Sequence, residues 1–227
     1  MGTISKVKAN YLFWLGRYAE RVFSTIEFLN EYYDQGIDRS PDGCKDFCTK
    51  LGITYHYASK SEFLTSMISD TTEPYSLIRA LESAHDNAIM LRDELGSRSL
   101  SFIQLAKNDL DACIAKGCRS FDLTKVTDDI LGFWGCADDA ILIDTIRDII
   151  KSGKYTERID LYVRFGKQTS LIRTEVARLE RYARHLPQTF DPYHLTILTS
   201  GAANLPQGGS QMLRAIPGIF NPGGRDQ

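Results

Sequence analysis

The chain lacks any run of roughly 20 apolar residues, the length a membrane-spanning helix needs. Its early apolar stretch around Tyr11 to Leu15 is cut by Arg17 and Glu20 before it could serve as a secretory leader. Gly2 follows Met1, but Lys6 stands where a myristoylation motif needs Ser or Thr, so no lipid anchor is expected either. An excess of basic charge is also missing: 27 Lys and Arg face 29 Asp and Glu, for a net charge of −2 and a pI near 6.1. Counterion-releasing contacts with a phosphate backbone are therefore not expected, and nucleic acid is not the partner the composition suggests. The five cysteines form an odd set with no CxxC pair, which suggests reduced thiols of a cytoplasmic protein filling the core. Cys44 and Cys48 are spaced CxxxC, and Cys113 and Cys118 lie five apart, neither with the tight paired spacing of a structural zinc site. GxSxG and GxxxxGK[ST] are absent, which removes the sequence signatures of an α/β-hydrolase nucleophile and of a P-loop. Glu82 to His85 is a single ExxH, whereas a di-iron bundle needs a second; no metal and no cofactor are expected.

What is present is ordinary globular composition, 43% hydrophobic and 25% charged, enough over 227 residues to build one sizeable helical core or two tightly packed halves. Tyr11, Leu15, Tyr18, Val22, Ile26, Leu29 and Tyr33 follow helical spacing and predict a long first helix over 3–34, ended by the turn residues Gly36, Asp38, Pro41 and Gly43. Ser59 with Glu62 has the form of a capping box before a short helix. Further helices are expected over 74–95, opened by Pro74 and stopped at Gly96, from Ser97 to Gly117, over 124–151, and over 154–186, stopped by Pro187. Gly132 and Gly135 inside the fourth mark a kink or a close contact. Beyond Pro187 the prolines and glycines break every long period. The expected fold is all-α, a bundle of about five main helices over 1–186 with an irregular Pro/Gly-rich tail over 187–227 docked on it.

A motif occurs twice. Gly16-Arg17-Tyr18-Ala19-Glu20-Arg21-Val22 is matched in register by Gly153-Lys154-Tyr155-Thr156-Glu157-Arg158-Ile159, which suggests two pseudo-equivalent long helices. On each helix the tyrosine and the β-branched residue share the apolar face, and the second arginine lies about 100° round from it. Arg21 and Arg158 are thus placed to clamp a carboxylate or phosphate. The same residues, with Arg17 set three positions from Glu20, could instead be salt bridges that orient packed helices. The candidates for ligand or partner binding are Arg17, Tyr18, Glu20, Arg21, Lys154, Tyr155, Glu157 and Arg158, with Glu20 and Glu157 as candidate acid or base.

The segment YLFWLGRYAERV resembles the opening signature of alpha-E domain proteins, bacterial all-helical proteins named for a glutamate-arginine motif, and GKYTERIDLYVR resembles its second copy. Residues 73–93, with Pro74, Asp86-Asn87 and Arg92-Asp93, are similar to the family's central segment. His85 and Ile89 stand where the family often has arginines. The resemblance adds Asp86, Asn87 and Arg92 to the candidate binding residues. It also implies a function: partner of an ATP-grasp amide-bond-forming enzyme or a transglutaminase-like protein in peptide synthesis or modification, binding the ligase itself, a peptide or a small anion. A helical enzyme of the same pathway and a purely structural bundle are the alternatives.

Overall fold

A computed structural model describes residues 4–32, 42–117 and 123–223. These residues form ten α-helices and one 3₁₀ turn with no strand, so the all-α expectation holds and five helices understates the count. None of the described helices is long and apolar enough to cross a membrane. Tyr33, Gly36, Asp38, Pro41 and Cys118 lie outside the described residues. Helix α1 runs unbroken over Lys6–Tyr32, and packing divides the chain at Arg17 and Ile141 into two compact units.

The unit from Tyr18 to Ile141 holds the second half of α1, where Ala19, Val22, Ile26 and Leu29 are buried, followed by α2 (Asp42–Leu51) and α3 (Lys60–Ser69). It continues with α4 (Leu77–Met90), α5 (Arg92–Ala115) and α6 (Thr124–Ala140). Ser59 caps α3 by accepting from the Glu62 N–H, and Glu62 reaches back to the Ala58 N–H at 2.7 Å. Pro74 does not open α4; Ser76 does, accepting from the Arg79 N–H while its own hydroxyl donates to the Asp70 carbonyl at 2.6 Å. At Gly96 the backbone leaves helical geometry (φ 70°), so the expected stop is a kink inside α5. Gly132 marks a close contact, because a Cβ there would strike the Phe102 ring of α5, whereas Gly135 has nothing within 4 Å. Cys44 and Cys48 are free and buried, and burial pushes the Cys48 thiol up to about 11, which suits core filling by protonated thiols. Cys113 is disulfide-bonded, so uniformly reduced thiols are not what the structure contains.

Asp129 on α6 sits beside Asp109 on α5, and its carboxyl is pushed up to about 6, first by burial and then by the Asp109 charge and hydrogen bond. A folded-state value above the unfolded one (about 4) means the folded chain holds an extra proton, and the stability this gives is lost as pH rises from about 4 to 6. Asp129→Asn should therefore melt a few degrees higher than the wild type at pH 7.5, roughly 1 kcal/mol after solvent screening, and with the wild type at pH 4. Equal melting at pH 7.5 would show that burial beside Asp109 does not raise the Asp129 carboxyl.

The other unit comprises α1 up to Arg17 and everything from Leu142. Its helices are α7 (Asp144–Arg164), α8 (Thr169–His185), α9 (Pro192–Ala203) and α10 (Gly209–Ala215), then the 3₁₀ turn Ile216–Gly218. The expected helices over 124–151 and 154–186 are displaced. The breaks fall at 141–143 and at 165–168, and α7 runs straight through Gly153. Gly166 (φ 64°) supplies the real terminator: Lys167 donates to the Tyr162 carbonyl at 2.9 Å and Gly166 to that of Val163, a Schellman closure. The tail is helical where irregularity was expected. Pro192 occupies the first turn of α9 behind the Asp191 cap, a position where its missing N–H costs nothing. Arg173 of α8 donates to the Ala202 and Ala203 carbonyls at the end of α9, and Phe220 stacks on Phe13 of α1 at 3.9 Å. Both contacts fasten the tail to its own unit.

Candidate functional site

The two motif glycines meet where α1 crosses α7. A Cβ on Gly16 would lie 2.0 Å from the Ile150 carbonyl oxygen, and one on Gly153 would lie 2.0 Å from that of Phe13. Beyond those two carbonyl groups, the nearest atoms are the backbone nitrogens of Lys154 and Arg17, respectively. Each glycine therefore faces the positions in the other copy that correspond to those facing its twin. The duplication in sequence is a local pseudo-two-fold in space, and the helices touch backbone to backbone.

That closeness determines where the polar residues reach. The sequence sets Arg17 near Glu20, but the structure sends it across to the other copy. Its Nε donates to Glu157 Oε2 at 2.6 Å and its Nη2 to Asp160 Oδ2 at 3.4 Å, while the guanidinium lies 4.9 Å from the Trp14 ring. Arg164, one turn beyond Asp160, donates to Asp160 Oδ1 at 2.7 Å. Two guanidinia thus neutralise two carboxylates in a buried cluster, with Glu157 at 0% exposure. The Asp160 carboxyl is raised above its ordinary value, first by burial and then by Glu157, against the lowering effect of both arginines. Sequence reasoning missed Asp160 and Arg164. Their signal was available: Asp160 is three residues from Glu157 and four from Arg164, the spacing of one helix face.

The remaining candidates have separate surroundings. Glu20 is fully buried and accepts from the Ser24 hydroxyl at 2.8 Å. Arg21 lies over two aromatic rings, Tyr18 at 5.4 Å and Tyr75 at 5.1 Å. In the second copy Lys154, Tyr155 and Arg158 are only partly buried. Tyr155 stacks against Tyr182 of α8 at 5.6 Å, and its hydroxyl is raised by burial first and by Tyr182 second. Arg158 Nη1 stands 4.0 Å from Glu175 Oε1, a carboxylate that Arg178 already holds at 2.9 and 3.1 Å. Asp86, Asn87 and Arg92 form no cluster of their own. The side chains of Asp86 (84% exposed) and Arg92 (74%) extend into solvent, and Arg92 leans on Asp93 at 3.6 Å. His85 is satisfied by Gln104 at 2.7 Å, the ordinary role of a helix histidine.

Among the described residues no group of three His, Cys, Asp or Glu side chains is arranged to hold a metal ion. A cleft of about 990 Å³ opens beside the start of α7 and the end of α8, walled by residues such as Ile149, Leu186 and Thr189, and no motif residue lines it. In comparisons with known proteins, the Alpha-E family, described as a predicted alpha-helical domain with a conserved ER motif, matches residues 4–196. No curated protein and no solved structure matches the chain.

Proposed function

The chain belongs to the Alpha-E family, and from that premise we propose that it is a non-catalytic accessory protein that docks on an ATP-grasp amide-bond-forming enzyme of a peptide synthesis or modification system. The observation that carries the binding reading is the division of labour within the second ER copy. Glu157 faces inward and is locked by Arg17, whereas Lys154, Tyr155 and Arg158 stay within reach of solvent and of a partner. Interfaces favour such residues: arginine and tyrosine present large, preorganised contact surfaces. The ligase as partner class is supported by the family resemblance alone. Against an enzyme stands the burial of both candidate acids, since Glu20 and Glu157 are each at 0% exposure.

The test is affinity capture from the native cell with the tagged full chain and with a Lys154→Ala/Arg158→Ala variant. Glu175 keeps Arg178 in that variant, so it should melt within a few degrees of the wild type. The expected result is an ATP-grasp ligase, identified by mass spectrometry, with the wild type and at least tenfold less of it with the folded variant. Equal capture by both sinks the reading, and so does absence of the ligase from the wild-type sample.

A further inference from the structure

Helices α7 and α8 are packed against one another, and their shared outer face carries more positive charge than the chain as a whole. On α7 the residues Arg147, Lys151, Lys154 and Arg158 recur at intervals of four, three and four and form one stripe. On α8 the corresponding stripe is Arg178, Arg181 and His185. Contacts across the seam place the stripes side by side. Lys151 lies over the Tyr182 ring at 5.8 Å, Arg178 over Tyr155 at 5.8 Å, and Arg158 approaches Glu175. Leaving histidine aside, six cations line the face, and among the described contacts three carboxylates reach it: Asp144 beside Arg147, Asp148 beside His185, and Glu175 beside Arg178. The chain as a whole is at −2, so this face departs from the average in sign.

We infer that the α7–α8 face binds an acidic peptide segment in extended form. This rests on the reading that the outer side of the second ER copy is a docking surface. The cations of α7 run from Arg147 to Arg158, eleven steps or about 16 Å at 1.5 Å per residue. An extended peptide sets its alternate side chains roughly 7 Å apart, so three carboxylates on one side of it cover that length. Nucleic acid fits less well. Single strands need open aromatic faces on which bases stack, whereas Tyr155 and Tyr182 stack on each other and carry cations: Arg178 by Tyr155, Lys151 and Arg181 by Tyr182. Tyr182 is moreover only 8% exposed. What the face presents is guanidinium and ammonium groups already held over aromatic rings, which lowers the ordering cost of binding carboxylates.

The experiment is fluorescence anisotropy of a labelled deca-glutamate peptide with the full chain at low salt, beside Lys151→Glu/Arg181→Glu and, for comparison, a ten-nucleotide oligo-dT. Saturable binding of the peptide is expected, weakening with added salt, at least tenfold weaker in the charge-reversal variant, and at least tenfold weaker for oligo-dT. If the reversal lowers the melting temperature, Lys151→Ala/Arg181→Ala replaces it, with a loss of several-fold expected. The absence of saturable peptide binding overturns the inference, as does unchanged binding by a folded variant or oligo-dT binding as tight as the peptide. Failure here together with ligase capture that still depends on Lys154 and Arg158 removes the acidic-peptide assignment and leaves the docking role. Peptide binding with capture indifferent to those residues removes the docking role alone.

Discussion

Gly153→Ala should lower the melting temperature by roughly 6 to 12 °C, which corresponds to about 3 kcal/mol for a chain of this size. Gly16→Ala should do the same. In most helices this exchange stabilises, because alanine loses less backbone entropy on folding, by about 1 kcal/mol. Here a methyl group would lie 2.0 Å from a carbonyl oxygen of the facing helix, Phe13 in one case and Ile150 in the other. A flexible side chain could swing aside, but a helix backbone can yield only by moving the helix. Overpacking of that kind costs about 1 to 3 kcal/mol and reaches the upper end when the obstruction is backbone. Displacing α7 by even an ångström also loosens the 2.6 Å bond from Arg17 to Glu157. Gly135→Ala is the internal control: nothing stands within 4 Å of its Cβ direction, so it should gain up to about 1 kcal/mol. Thermal melts followed by circular dichroism separate the cases. If Gly153→Ala melts as high as Gly135→Ala, the backbone contact between α1 and α7 is not there.

Gly153 also shows why part of the fold was illegible. Glycine in sequence is read as punctuation, and a helix boundary beside it was the natural inference, yet its service here is to let two backbones meet. Gly166, which truly ends α7, carries no stronger local signal than Gly153; only the positive φ tells them apart. Pro192 posed the same ambiguity, since proline both breaks helices and starts them. The features that were legible depend on neighbours a few positions away: the long apolar stripe of α1, the Ser59 cap, the stop at Gly117. The candidate site follows the same division. The repeated motif named Arg17 and Glu157, but their pairing links positions 140 apart, and no local rule points from one to the other. Local spacing suggested Arg17 with Glu20 because a helix surface offers that contact, and the glycine crossing brought Glu157 within 2.6 Å.

Arg17→Ala should be the most damaging single change in the cluster. It takes the guanidinium away from buried Glu157 and from Asp160, which Arg164 still holds, and removing one partner of a buried ion pair costs about 3 to 5 kcal/mol. The loss should depend on pH in a definite direction. Asp160 is already raised by burial and by Glu157 while Arg17 pulls it down, so loss of the arginine raises it further. A carboxyl raised in the folded state above its unfolded value of about 4 favours folding at low pH, and that advantage disappears as pH climbs through the interval between the two values. The deficit of Arg17→Ala against the wild type should therefore be smallest near pH 4 and full by pH 7. Adding Glu157→Gln should recover more than half of the loss at pH 7, because it takes away the charge the arginine was there to balance. Recovery that is absent at pH 7, or a deficit that is flat from pH 4 to 7, would mean that Arg17 contributes through its packing on Trp14 and not through the carboxylates.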